Sequence, residues 1–134
     1  MSCEGKSVVI IGASPNPDRY ANKAILAYLK KGYKVFAVNP KYAGTKIHGV
    51  NVVSSVNDIS EKIDIAALYV RPEIGINVLE DLARKGVKLV YVNPGTGSSE
   101  LLEKGRKLGM EMIEACAIKS IGFDPDNMRI SLSL

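Results

Sequence analysis

An apolar run, Val8-Val9-Ile10-Ile11, leads directly into Gly12-Ala13-Ser14-Pro15-Asn16-Pro17-Asp18-Arg19. These residue types in this order suit the holding of phosphate better than the breaking of a bond. A turn of this kind hands a strand to a helix, whose first turn offers unpaired N–H groups and the positive end of its dipole to an anion. The dinucleotide fingerprint G-x-G-x-x-G uses glycine for the tight turn, for close approach of a pyrophosphate and for helix-to-strand packing. Here the same spacing reads Gly12, Ser14, Pro17. The first glycine still permits the turn, so a phosphate site is expected, but for a ligand other than NAD. Ser14 is expected to contact phosphate and not to act as a nucleophile. The nucleophile elbow is G-x-S-x-G, and position 16 is Asn. The single histidine, His48, stands between Ile47 and Gly49 and reads as a surface or ligand-edge residue. One histidine and two cysteines, Cys3 and Cys116, fit no zinc or histidine-based centre and no C-x-x-C pair.

The second strand tests the NAD reading again, because NAD enzymes place Asp or Glu at its end to hold the ribose 2′-hydroxyl. This chain has Asn39 there. No Asp or Glu occurs from Arg19 through Asn57, whereas seven lysines and arginines do. With Lys30 and Lys31 assigned to a helix end, Arg19, Lys23, Lys41 and Lys46 are the ones that remain near the expected crevice. That is a site for a nucleotide with extra phosphate. A phosphomonoester carries about −1.5 to −2 charges at neutral pH, which Lys41, just after the second strand, is placed to meet. Coenzyme A and NADP both satisfy the requirement.

The elements that must position these residues follow from periodicity. Apolar runs alternate with helical patterns, the mark of βαβ units and a parallel sheet. Strands are expected at Ser7 to Ile11, Tyr33 to Val38, Val50 to Val53, Ile63 to Val70, Val87 to Val92 and Met110 to Glu114. Their β-branched, scarcely alternating character suits a sheet covered on both faces. Ala21, Ala24, Ile25, Tyr28 and Leu29 form the stripe of a first helix, with Asp18 as N-cap and Gly32 beyond its end. A second helix is expected from Pro72 to Gly86, burying Ile74, Val78, Leu79 and Leu82. A third starts near Ser98 or Ser99, carries Leu101, Leu102, Gly105 and Leu108, and ends at Gly109. Pro40 to Gly49 reads as a looser segment, followed by a short helix capped at Ser55. Four strand ends, Gly12-Ala13-Ser14, Asn39-Pro40-Lys41, Arg71-Pro72 and Asn93-Pro94-Gly95, then fall on one sheet edge, where open α/β sheets bind ligands.

The fold class is therefore α/β, a Rossmann-like doubly wound parallel sheet in a single domain over residues 1–134. With 134 residues and 46% hydrophobic composition, the chain suits one sheet-centred core. The formal net charge of +4 is largely explained by Lys30-Lys31, Arg84-Lys85 and Arg106-Lys107 in last turns of helices, where they complement the dipole. With no aromatic platform or basic helix face, a nucleic-acid partner is not expected. The N-terminal residues match neither a secretory h-region nor a membrane span, so no membrane association and a cytoplasmic location with reduced thiols are expected.

Gly12 to Arg19, then Gly32-Tyr33-Lys34-Val35-Phe36-Ala37-Val38-Asn39-Pro40-Lys41, then Tyr69-Val70-Arg71-Pro72-Glu73 resemble the stand-alone CoA-binding domain family. That family is related to the CoA-binding domain of the succinyl-CoA synthetase α subunit and of ADP-forming acyl-CoA synthetases. The resemblance runs from about Lys6 to about Ile118, with residues 122–134 outside it. It implies that Gly12, Ala13 and Ser14, with Arg19, hold a diphosphate. Asn39, Pro40 and Lys41 would hold the adenosine and its 3′-phosphate, and Val70 and Arg71 the adenine side. Tyr20, Tyr42 and Tyr69 are candidates to stack on adenine. The loop Asn93-Pro94-Gly95-Thr96-Gly97 departs from the family's Gln-containing form at the pantetheine contacts, where Asn93 and Gly95 are candidates. Ala115-Cys116-Ala117-Ile118-Lys119 resembles the family's Cys-Ile-Lys segment with one residue inserted. Cys116 then reads as an inert buried thiol or as a partner for the CoA thiol. The alternation Ile130-Ser131-Leu132-Ser133-Leu134 reads as an added strand or a subunit contact. In the related synthetases the chemistry needs a phosphohistidine on another domain and a nucleotide-grasping partner, so binding of CoA or an acyl-CoA without autonomous catalysis is expected. A homo-oligomer or a partner enzyme subunit is compatible with that role. Two alternatives stay open: an NADP-binding regulator or reductase, and an interaction subunit that has lost its nucleotide.

Overall fold

A computed structural model describes residues 6–127. Strands β1 (Ser7–Ile11), β2 (Lys34–Val38), β3 (Lys46–Ile47), β4 (Val50–Val53), β5 (Ile65–Leu68), β6 (Leu89–Val92) and β7 (Glu111–Ile113) form one sheet in the order β3-β4-β2-β1-β5-β6-β7. Every pairing is parallel except β3 with β4. Without the β3 edge, the order is that of the doubly wound dinucleotide-binding fold, reversing direction between β1 and β5. Helices α1 (Tyr20–Lys30), α2 (Pro72–Arg84) and α3 (Ser99–Lys107) make the crossovers.

The unbroken apolar strands are explained by burial on both faces. Along β1, Val8 and Ile10 pack with Ala24, Ile25 and Tyr28 of α1, and Ile118 joins the same cluster. Val9 and Ile11 point the other way, into a cluster with Leu79 and Leu82 of α2 and Leu101 of α3. Because the sheet is parallel, all its helix C-termini gather at the edge opposite the strand ends. Lys30, Arg84, Arg106 and Lys107 occupy those last helical turns, away from the crevice.

Several sequence expectations are corrected. Helix α1 begins at Tyr20, with Arg19 as its uncapped N-cap. Asp18 does not cap it: it stands one residue ahead of the N-cap position, and its own amide donates to Asn16 Oδ1 (2.9 Å) within the preceding turn. The run from Ile63 to Val70 enters the sheet only at Ile65. Asp64 is held by side chain instead, its Oδ2 accepting from Ser7 N (2.9 Å) and its N–H donating to Ser7 Oγ (3.1 Å). Pro40 to Gly49 is not loose: it holds a 3₁₀ turn at Pro40–Tyr42 and the first arm of a hairpin pairing Lys46 with Asn51 and Ile47 with Val50. Its two turn residues, His48 and Gly49, both have positive φ (50° and 83°), as a type I′ turn requires. The expected Ser55 cap is present as a capping box on a 3₁₀ turn at Val56–Asp58, and Ser98 Oγ accepts from Leu101 N at the start of α3. Cys3 and the alternation at 130–134 lie outside the described residues.

Candidate functional site

The turn after β1 is built by hydrogen bonds that turn its carbonyls away from an incoming anion. Gly12 N–H and Ala13 N–H both donate to Val38 O (2.9 and 3.2 Å), tying the turn to the end of β2. The Ala13 carbonyl accepts from Asn39 Nδ2 (2.8 Å), and the Ser14 carbonyl from Asn22 Nδ2 (3.0 Å). Ser14 N–H donates to no group among the described residues. Ser14 Oγ accepts from Asn16 N (3.1 Å), which leaves the hydroxyl proton free to donate outward. No side chain caps α1, so the first-turn amides that cannot bond within the helix remain for a ligand.

Gly12 sits where the strand order reverses. Its φ is +93°, and a Cβ added to it would lie 2.6 Å from Tyr69 O and 2.8 Å from Val70 Cγ1. The ends of β1 and β5 therefore approach so closely that only glycine fits between them.

Two clefts open on either side of this point and share Gly12, Asn39 and Val70. The larger, about 630 Å³, runs past Ser14, Arg19, Tyr20 and Lys41 toward Pro94 and Thr96. It has a polar floor and two exposed cations, Arg19 and Lys41, with Asp18 as the acidic exception. The smaller, about 340 Å³, is mainly apolar and lies between Pro40, Ser54 to Val56, and Ile74 and Val78 of α2. The helical stripe of α2 assigned Ile74 and Val78 to the core. Instead Ile74 is 45% exposed, because it faces this cleft, whereas Leu79 and Leu82 are fully buried.

The twelve site residues read from the sequence separate into four kinds. Gly12, Ser14, Arg19, Tyr20, Asn39, Pro40, Lys41 and Val70 line one or both clefts. Ala13 is fully buried and contributes through its backbone. Arg71, the exposed N-cap of α2, and Gly95, at positive φ, are not on either cleft wall. Asn93 is a correction of role: it is 5% exposed, its Nδ2 donates to Leu68 O (2.9 Å) and its Oδ1 accepts from Ala117 N (2.9 Å). It is a strut that joins the ends of β5 and β6 to the segment after β7. Of the other basic residues, Lys23 stacks over the Tyr20 ring with Nζ 5.2 Å from its centroid, and Lys46 lies on the outer hairpin.

Asn16, Thr96 and the Ser54 to Val56 wall were not singled out in the sequence. A serine cap and a proline-bounded turn give no sign that they form a cleft wall. Tyr69 lines the larger cleft, and its hydroxyl is buried without a hydrogen-bond partner of acceptable geometry among the described residues. Burial pushes that phenol well above its usual range, with the nearby Cys116 thiol adding to the effect. Cys116 is free and half-buried, so it is not sealed in the core.

Sheet order, the glycine at the reversal and the donor-rich turn before an uncapped helix define a Rossmann-like doubly wound α/β domain. The model of a family described as "CoA binding domain" matches residues 6–121, and the chain belongs to that family. It is 34% identical over 113 residues to the α subunit of an ADP-forming acetate–CoA ligase I of Pyrococcus furiosus, covering 81% of this chain and 24% of that protein. The chain thus spans about a quarter of this curated relative's length. It is also 30% identical to the uncharacterized protein YneT of Bacillus subtilis, over 80% of this chain and 81% of that one. Among solved structures, a hypothetical protein from Pyrococcus horikoshii OT3 superposes with a TM-score of 0.79 at 33% identity, over 85% of this chain and 80% of its own. Among the described residues no helix is long and apolar enough to cross a membrane.

Proposed function

We propose that this protein binds coenzyme A or an acyl-CoA at the C-terminal edge of its sheet and does not turn it over by itself. The observation that carries this reading is the pair of clefts meeting at Gly12, Asn39 and Val70, one apolar and one polar, with an open helix N-terminus at the junction. The adenine ring belongs in the apolar cleft between Pro40, Val56 and Ile74. The diphosphate belongs at Ser14 and the first turn of α1, with Arg19 and Lys41 neutralising it and the 3′-phosphate. The pantetheine arm then follows the larger cleft toward Pro94 and Thr96. Family membership supports CoA over NADP, and the Asn39 side chain, spent on Ala13 O and without a carboxylate for a ribose 2′-hydroxyl, argues against NAD. We place this binding role in the cytoplasm, with a partner enzyme subunit reading the bound state.

Titration calorimetry and thermal unfolding with CoA, acetyl-CoA and NADP test the reading. At a CoA concentration about 100 times Kd, stabilisation of about 2.7 kcal/mol is expected, with NADP inert. No shift with CoA or acetyl-CoA overturns the proposal, and thioester hydrolysis or ligation by the purified chain overturns its non-catalytic part.

A further inference from the structure

The single histidine has no part in the ligand contacts above, yet it is wired to the turn that makes them. His48 Nε2 lies 2.7 Å from Asn22 Oδ1, and Asn22 Nδ2 donates to Ser14 O at 3.0 Å. Asn22 is 5% exposed on α1, so its amide must be satisfied internally. Only one orientation achieves this, because a flipped amide would set Oδ1 against the Ser14 carbonyl. Oδ1 therefore faces His48, and a neutral imidazole must carry its proton on Nε2.

The Ser14–Pro15 peptide makes this link matter. Pro15 has no N–H, so that peptide can show a ligand only a carbonyl oxygen, the wrong sign for phosphate. Asn22 holds the oxygen on the hairpin side, just as Asn39 holds the carbonyl of Ala13. His48 also sits at φ 50°, the left-handed region that a side chain enters at an energetic cost. Glycine would occupy this turn position without strain, so the imidazole is kept where the backbone alone would not favour it.

We infer that His48 is a positioning residue for the phosphate-binding turn: through Asn22 it keeps the Ser14 carbonyl out of the anion site. The inference takes from the CoA reading only that the ligand carries phosphate. It joins the β3–β4 hairpin, which touches no ligand in that reading, to affinity for the diphosphate.

The test has a ligand-free arm and a binding arm. Because the chain has one histidine, ¹⁵N-edited NMR of the unaltered protein reads His48 directly. In the neutral form of the ring the proton is expected on Nε2, and a neutral ring that carries its proton on Nδ1 instead overturns the relay. In the binding arm, His48→Gly removes the imidazole and relieves the left-handed strain, so the fold is retained. CoA and ADP should each bind about tenfold more weakly to it, while adenosine, which has no phosphate, is unaffected. His48→Gln, whose amide nitrogen can stand where Nε2 stands, should return CoA affinity to within about threefold of the original. Unchanged CoA affinity in His48→Gly overturns the inference, and so does an equal loss for adenosine. Failure of the unaltered chain to bind CoA counts instead against the proposed ligand, and the NMR arm then decides the relay on its own.

Discussion

Asn93 and Tyr69 stand within one turn of the cleft and illustrate opposite fates of a buried polar group. Asn93 has both ends of its amide satisfied, by Leu68 O and Ala117 N. Asn93→Ala leaves these backbone groups without partners, at about 1–3 kcal/mol each. A loss of about 2–6 kcal/mol in denaturant unfolding is expected, whatever the ligand affinity of the variant. Among the described residues the Tyr69 hydroxyl makes no well-formed hydrogen bond, only a poorly aligned approach to Asn93, so Tyr69→Phe should leave stability at pH 7 unchanged within about 0.5 kcal/mol or raise it slightly. Its effect appears in alkali. Burial lifts the folded-state phenol above the unfolded value of about 10. Below that pH both states keep the proton and the full stability is present. Above it the unfolded chain binds fewer protons than the folded one, so stability falls as pH rises. Tyr28, also buried and raised, with its hydroxyl on Ala117 O, adds to the same fall. Unfolding free energies measured from pH 8 to 11 should decline beyond pH 10, less steeply in Tyr69→Phe. At this scale the sequence marked Asn93 as a site residue from its place after a strand. Whether an asparagine at a strand end meets ligand or backbone depends on which carbonyls the folded chain brings within 3 Å, and no local pattern holds that information.

At the scale of elements, the β1–turn–α1 unit carries the site, and Gly12 is its hinge. Gly12→Ala would force a side chain into φ +93° and drive its Cβ against the backbone of Tyr69. Neither β1 nor β5, both central and fully buried, can yield. Destabilisation of at least about 2 kcal/mol is expected, together with loss of CoA binding, as read by thermal unfolding and calorimetry. The elements themselves were largely legible. Four strands, β2, β5, β6 and β7, match the expected runs with trimmed ends, β1 (Ser7–Ile11) and β4 (Val50–Val53) match fully, and α2 begins at Pro72 as expected. What escaped were short elements with weak signals. The β3 arm has only two residues, and His48-Gly49 is not the Asn-Gly or Asp-Gly pair that announces a type I′ hairpin. Asp18 looked like a cap because its type and spacing suit one, but the helix starts at Tyr20, which puts Arg19 in the N-cap position.

For the whole molecule, charge is distributed with the fold. The helix-end lysines and arginines lie at one sheet edge, and Arg19 and Lys41 at the other, beside the clefts. Both are exposed, so their attraction for a polyanionic ligand is screened by salt, with a Debye length of about 10 Å at 0.1 M. CoA affinity should fall steadily from 50 mM to 500 mM salt. In the double variant Arg19→Ala, Lys41→Ala, affinity should drop about 10- to 100-fold and its salt dependence should flatten, with ligand-free thermal stability unchanged. A dependence as steep as that of the unaltered chain would show that other cations carry the ligand's charge.

The sequence by itself determined the parallel α/β architecture, the turn at Gly12 and the family, because these rest on local periodicity and on residues contiguous in the chain. The absence of acid from Arg19 through Asn57 also pointed away from NAD before any coordinate was known. Only the tertiary structure decided that there are two clefts, that Ile74 faces one of them, that Asn93 is a strut and that His48 reaches Ser14 through Asn22. Each of those depends on groups far apart in sequence meeting at hydrogen-bond or contact distance, and it is the close approach of β1, β2 and β5 at one edge that brings them together.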